Sequence, residues 1–340
     1  MTLLVSGSLL FTGCNQDQFN IQEALPEDKA VEISVPGESG SGQALVGERS
    51  AFYETTYNVS RGINGFVFFV LSIARAITNE QPTRKEGNTW TWGPSEPKGL
   101  ERVQWRFQAT KVEEGRFTFK LEGRPKGSSS ESDYKVIFDG DVTRGEQNPN
   151  RGHGELGIYF DNAQAVEQKS CGNGNRDVLE GTARVKFAAD TEPKAISVDF
   201  IDFRNRCDGD TVERQPAKYV YEEATDGSGN FQFQAHGNIH KATENKPLIE
   251  EMTIRSRWLA DGRGRSDVSI GEGEVPADMA AQSIPGNAVT ATECWDEMFN
   301  VVFQETTPPE LPEEFRNSVR PTEGDETQCA FTEEQLPNEV

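Results

Sequence analysis

Val103-Gln104-Trp105-Arg106-Phe107-Gln108-Ala109 decides the fold, because Val103, Trp105, Phe107 and Ala109 fall on one side of an extended chain and Gln104, Arg106 and Gln108 on the other. Successive side chains of a strand point to opposite faces, so strict alternation marks a half-buried β-strand. The same period returns in Phe117, Phe119 and Leu121; Tyr134, Val136 and Phe138; Leu156, Ile158 and Phe160; and Ala183, Val185 and Phe187. It continues through Ile196, Val198 and Phe200; Tyr219 and Tyr221; Phe231 and Phe233; and Met252, Ile254 and Trp258. Between these runs, Glu113-Glu114-Gly115 and Asp226-Gly227-Ser228-Gly229 are hairpin signals. One wet and one dry face per strand, joined by short links, predicts an antiparallel sheet. About ten strands in one sheet must curl or close. The expectation is a mainly β protein, a curved sheet or barrel.

Upstream, residues 51–78 change character, with Phe52, Tyr53, Tyr57, Val59, Ile63, Val67, Leu71, Ile73 and Ile77 among them. The second half of this stretch is apolar all round, as expected of a helix enclosed by the rest of the protein. Gly62 and Gly65 are candidate kinks, and a buried strand through Phe66–Leu71 is the alternative. A sheet wrapped around this helix accounts for both patterns, in one β-rich domain over residues 51–300.

The chain has 340 residues and a formal charge of -22, from 56 acidic and 34 basic side chains. Such a surface repels phosphate backbones instead of releasing their counterions, which argues against nucleic acid as a partner.

The first residues carry an address. Leu3 to Phe11 is an apolar run of signal-peptide length, too short to span a bilayer as helix. It leads into Leu10-Phe11-Thr12-Gly13-Cys14, which resembles the lipobox of bacterial lipoproteins. Phe11 replaces the usual Leu, and no Lys or Arg precedes the run. The resemblance implies that residues 1–13 are a signal peptide and that Cys14 becomes a lipid-modified N-terminus; the alternative is a buried strand with an ordinary cysteine. Asn15 in place of Asp implies the outer membrane. Residues 14–50, rich in Gln, Glu, Pro, Gly and Ser, then read as a flexible tether.

With Cys14 carrying lipid, Cys171, Cys207, Cys294 and Cys329 remain, at spacings too wide for C-x-x-C metal or redox sites. Four cysteines allow three pairings, and an exported chain occupies a compartment where disulfides persist. Sequential pairing is expected, with Cys171–Cys207 joining two turn-like loops. Cys294–Cys329 would tie the acidic, proline-rich tail 301–340 back onto the domain.

No H-E-x-x-H, G-x-S-x-G or Walker sequence occurs. His236 and His240 are four apart but sit at a strand end and loop, and His153 stands alone, so no metal site is assigned. Asp226-Gly227-Ser228-Gly229-Asn230 lacks the later glycine and the glutamate of a calcium loop. No catalytic residue, cofactor or metal ligand is named, and a non-enzymatic role is expected.

Pro82-Thr83, Trp92-Gly93-Pro94, Ser256-Arg257-Trp258, Gly262-x-Gly264-Arg265-x-Asp267 and Glu293-Cys294-Trp295 together resemble an uncharacterised family of lipoproteins from myxobacteria and related lineages. That resemblance implies fold and location only. The glycines Gly262 and Gly264 suit a tight turn, and Arg265 and Asp267 are placed to pair with each other or with nearby backbone. The functional expectation is an envelope lipoprotein that binds an apolar or amphipathic ligand or a protein partner. Its rival is a structural or surface-interaction lipoprotein whose helix fills the sheet.

Overall fold

A computed structural model describes residues 25–37, 46–95, 102–145, 148, 151–168, 170–172, 178–208, 214–237, 250–270, 289–307 and 322–332. Cys14, the segment read as a signal peptide and His240 lie outside the described residues.

The described strands are β1 (Arg84–Glu86), β2 (Thr89–Trp92), β3 (Val103–Glu113), β4 (Arg116–Pro125), β5 (Lys135–Arg144), β6 (Gly152–Tyr159), β7 (Leu179–Ala188) and β8 (Lys194–Asn205). They continue as β9 (Gln215–Glu223), β10 (Gly229–Gly237), β11 (Glu250–Trp258), β12 (Gly264–Ile270), β13 (Val289–Trp295), β14 (Val301–Thr307) and β15 (Glu323–Gly324). Each pairs with the next in a single 15-stranded antiparallel sheet. The sheet is a curved meander, not a closed barrel, since β1 and β15 each have one neighbour. One inner row runs without a break from Trp92 through Phe107, Leu121, Phe138, Ile158 and Ala183 to Phe200. That row is the period-two pattern of the sequence, now joined across seven strands.

The count of about ten strands falls short because some strands lack an apolar inner face. In β12 and β13 the inner-face side chains include Ser266, Ala291 and Glu293, and Gln304 of β14 is paired with Glu293. Of these, Ser266 and Glu293 lie toward the start of a helix, and with small and polar side chains in the inner row alternation of hydrophobicity is lost there. Phe160 does not extend β6 either; it opens a short helix, α3 (Phe160–Glu167), and stays buried.

The expected helix is present over Ala51–Thr78 and is named α2, α1 being the single turn Asp28–Val31. Ser50 caps α2, its hydroxyl accepting from the Tyr53 amide. Twenty-eight residues make a rod of roughly 42 Å at about 1.5 Å each. Its buried stripe is Tyr53, Thr56, Ser60, Val67, Leu71, Ala74 and Thr78. Asn58, Gly62, Gly65, Ser72 and Ala76 form an exposed stripe on the other side, so the helix is not enclosed as its apolar second half suggests. Neither glycine breaks it. An open sheet covers one flank of a helix, and the remaining side meets other segments or water.

One of those segments was read as tether. Leu25, Ala30, Val31 and Ile33 are buried in the core, so the chain from 25 to 36 is a docked strap. The aliphatic residues Leu25, Val31 and Ile33 are spaced too irregularly to give a periodic signal. The tail boundary also shifts, because β14 and β15 lie in the stretch assigned to the tail.

Candidate functional site

The inner face of the sheet is where an apolar ligand was expected, and two elements of the chain itself cover it. The start of α2 is held by polar contacts. Buried Glu293 accepts from the Ser50 hydroxyl at 2.6 Å and from the Phe52 amide at 3.1 Å, placing a carboxylate at a helix N-terminus. One turn on, the Thr56 hydroxyl bonds Ser256, which bonds Ser266. Tyr53 stacks on Phe299 with centroids 4.3 Å apart and leans against Trp295. Burial pushes the Tyr53 hydroxyl up to about 12 against the opposing effect of Arg49.

Three of the landmark motifs converge here. Ser256, Ser266 and Glu293 are register partners across β11, β12 and β13, as are Arg257, Arg265 and Cys294, and Trp258, Gly264 and Trp295. The inner row docks α2. On the outer row Arg265 forks onto Asp267 and donates to the Thr332 carbonyl at 2.8 Å, while Arg257 lies 4.1 Å over the Phe331 ring. Gly262 has φ of +93°, as the turn requires, but Gly264 is a strand residue whose missing side chain makes room for Trp295. Trp92 and Pro82-Thr83 lie apart from this cluster, Trp92 donating to the Glu80 carbonyl beyond the end of α2.

The strap lies beside α2, with an open pocket of about 700 Å³ left between Ile33–Val35 and Tyr57–Phe68 and another of about 680 Å³ toward Lys194 and Glu223, and it is gripped almost wholly by its backbone. Asn64 holds Ile33 from both sides, accepting from its amide and donating to its carbonyl, each at 2.8 Å. Tyr221 accepts from the Ser34 amide and donates to the Ser34 carbonyl. Burial holds the Tyr221 hydroxyl well above its ordinary range, so it stays protonated. Lys194 donates to the Glu32 and Lys29 carbonyls, Arg75 to the Pro26 carbonyl, and Tyr53 to the Pro36 carbonyl. Asp28 is the strap side chain that pairs with a charge, through Arg75 at 2.6 Å. Burying Leu25, Val31 and Ile33 contributes about 1.5–3 kcal/mol each. Fixing the backbone from 25 to 36 costs roughly 1–2 kcal/mol per residue, so these polar grips are needed for the strap to stay down.

A different cavity, of about 420 Å³, opens on the outer face over β3 to β7. Around it Arg116 forks onto Asp141 at 2.7 and 2.9 Å, Arg184 reaches Glu155 at 3.1 Å, and Lys120 turns to Glu122. Asp139 has no cation at ion-pair distance among the described residues and accepts from Tyr159 at 2.9 Å. Burial raises its pKa despite that hydrogen bond. The Arg116 fork holds Asp141 below the ordinary carboxylate range. This surface can accept a hydrogen-bond donor, but it brings together no nucleophile, base and orienting group.

Comparison with known proteins finds no matching family model, no similar curated protein and no similar solved structure.

Of the residues singled out in the sequence, the two disulfides are Cys171–Cys207 and Cys294–Cys329, each with Cα atoms 5.3 Å apart. His236 meets Glu251 and the Pro216 carbonyl, and His153 meets Asp190. Among the described residues no group of three His, Cys, Asp or Glu side chains is arranged to hold a metal, and no helix is long and apolar enough to cross a membrane. The sequence pattern marks Tyr221 only as an inner-face strand residue and gives no role to Asn64 or Lys194. Asn64 has a local signal, as an amide set among Ile63, Val67 and Phe68.

Proposed function

We propose that this chain is an outer-membrane-anchored, non-enzymatic envelope lipoprotein, carried on lipid at Cys14, whose folded domain meets a protein partner through its surface and keeps its interior filled. The observation that carries this reading is the coverage of the inner face by α2 and the 25–36 strap, with Leu71, Ala74, Val31 and Ile33 buried there. A carrier of apolar molecules needs that space for its cargo. Two disulfides support an oxidising compartment such as the envelope.

Native and denaturing mass spectrometry of the exported protein tests the filled interior. A bare, disulfide-bonded polypeptide in both spectra is expected. Mass lost on denaturation and traced to a lipid would sink this reading and restore a carrier. Membrane fractionation of the Cys14→Ser chain tests the anchor separately: release into the soluble fraction is expected, and retention would remove the anchor from the proposal.

A further inference from the structure

The strap is a docked peptide in every respect but its covalent link. Five side chains from three elements, Asn64 and Tyr53 with Arg75 on α2, Lys194 on β8 and Tyr221 on β9, hold the backbone of residues 26–36. Four strap side chains, Leu25, Ala30, Val31 and Ile33, sink into the core beside them. This combination, main-chain hydrogen bonds for affinity and side-chain sockets for specificity, is how proteins capture extended peptides. Asn64 offers Ile33 the donor and acceptor pair that a neighbouring strand would present, and Tyr221 repeats that pattern at Ser34.

We propose that the groove beside α2 is a peptide-binding site for segment 25–36 of a second copy of this chain, the strap of each copy being its own resident occupant. The occupant is identified by the grip itself: the sockets fit this segment, and every backbone contact is one an identical segment reproduces. Gly37 ends the strap with φ of +95°, a conformation open chiefly to glycine, and exchange of an identical element between protomers is a low-cost route to dimers. A short link holds the strap at an effective concentration near the millimolar range, so the resident form prevails in dilute solution. Exchange then belongs where copies are crowded, as on a membrane surface. This inference extends the reading of a self-filled interior, and a co-purifying lipid, which would end that reading, is detected by a different measurement.

The test uses two full-length chains. Val31→Asp with Ile33→Asp spoils the strap and leaves the groove; Asn64→Ala with Tyr221→Phe spoils the groove and leaves the strap. Each is expected to be monomeric by sedimentation, while their mixture forms a 1:1 heterodimer. A labelled peptide of residues 25–36 is expected to bind the strap-spoiled chain at least tenfold more tightly than the wild type. It should lose at least tenfold in affinity when Asn64→Ala is added. If the groove-spoiled chain does not fold, interchain disulfide formation between one chain carrying Ile33→Cys and a second chain carrying Asn64→Cys replaces the mixture. A folded strap-spoiled chain that ignores the peptide overturns the site, and peptide binding without either heterodimer or cross-link overturns the exchange.

Discussion

Replacing Glu293 tests whether a carboxylate on β13 fixes the start of α2. Glu293 is 5% exposed, and its Oε2 atom accepts two hydrogen bonds, from the Ser50 hydroxyl and the Phe52 amide. Hydrogen bonds to a charged group contribute about 1.5–3 kcal/mol each, and removing one partner leaves the other buried and unsatisfied. Both donors lie at the first turn of α2, so Glu293→Ala should cost about 3–5 kcal/mol. Glu293→Gln keeps an acceptor in the same place and loses only the charge-assisted part and the helix-end attraction, about 1–2 kcal/mol. Urea unfolding followed by circular dichroism measures both, with m-values compared to check that the folded states are alike. Ser50→Ala should be less than additive with Glu293→Ala, by about 1 kcal/mol or more, because the two residues share a bond. A cost below about 0.5 kcal/mol for Glu293→Ala, or equal costs for Ala and Gln, would refute the carboxylate as the clamp.

Further measurements address other parts of the molecule. Gly62→Ala and Gly65→Ala place a methyl group where nothing lies within 4 Å, on an unbroken helix, so each should stabilise by about 0.5–1 kcal/mol in thermal or urea unfolding. Asp139 has a raised pKa through burial, so its contribution to stability is present below the ordinary carboxylate range and lost as pH rises through the raised value. Asp139→Asn should therefore be more stable than the wild type near about pH 7, with the difference vanishing toward about pH 3; urea midpoints across that range decide it. Joining Cys294 to Cys329, 35 residues apart, contributes about 4 kcal/mol by loop closure, so Cys329→Ser should lower stability by an amount of that order in the oxidised protein. It should also free residues 326–332 to limited proteolysis at Phe331, which the Arg257 stack otherwise shields.

The reach of sequence reasoning differs from element to element. Strands β3 to β11 were legible because their inner faces are apolar and continuous, as the row from Trp92 to Phe200 shows. The hairpin at Asp226-Gly227-Ser228 was legible because its turn chemistry is local: Asp226 accepts from the Ser228 amide, and Gly227 adopts φ of +88°. Strands β12 to β14 were not, since Ser266 and Glu293 lie toward a helix start more than two hundred residues away in the chain, and Gln304, paired with Glu293, turns its amide to Glu323. The strap escaped notice for a related reason. Its grips belong to Asn64, Lys194 and Tyr221, and a tether and a docked peptide have the same composition until a groove exists to receive one.

By itself, then, the sequence determined an antiparallel sheet, a long helix at 51–78 and the absence of any familiar catalytic motif, because each follows from periodicity or from local residue type. Tertiary structure alone decided that the sheet stays open, that α2 leaves one side exposed, and that residues 25–36 cover the inner face. It also drew Ser256, Ser266 and Glu293 into one row. These outcomes depend on which surfaces meet when distant segments pack, and that information resides in no single stretch of the chain.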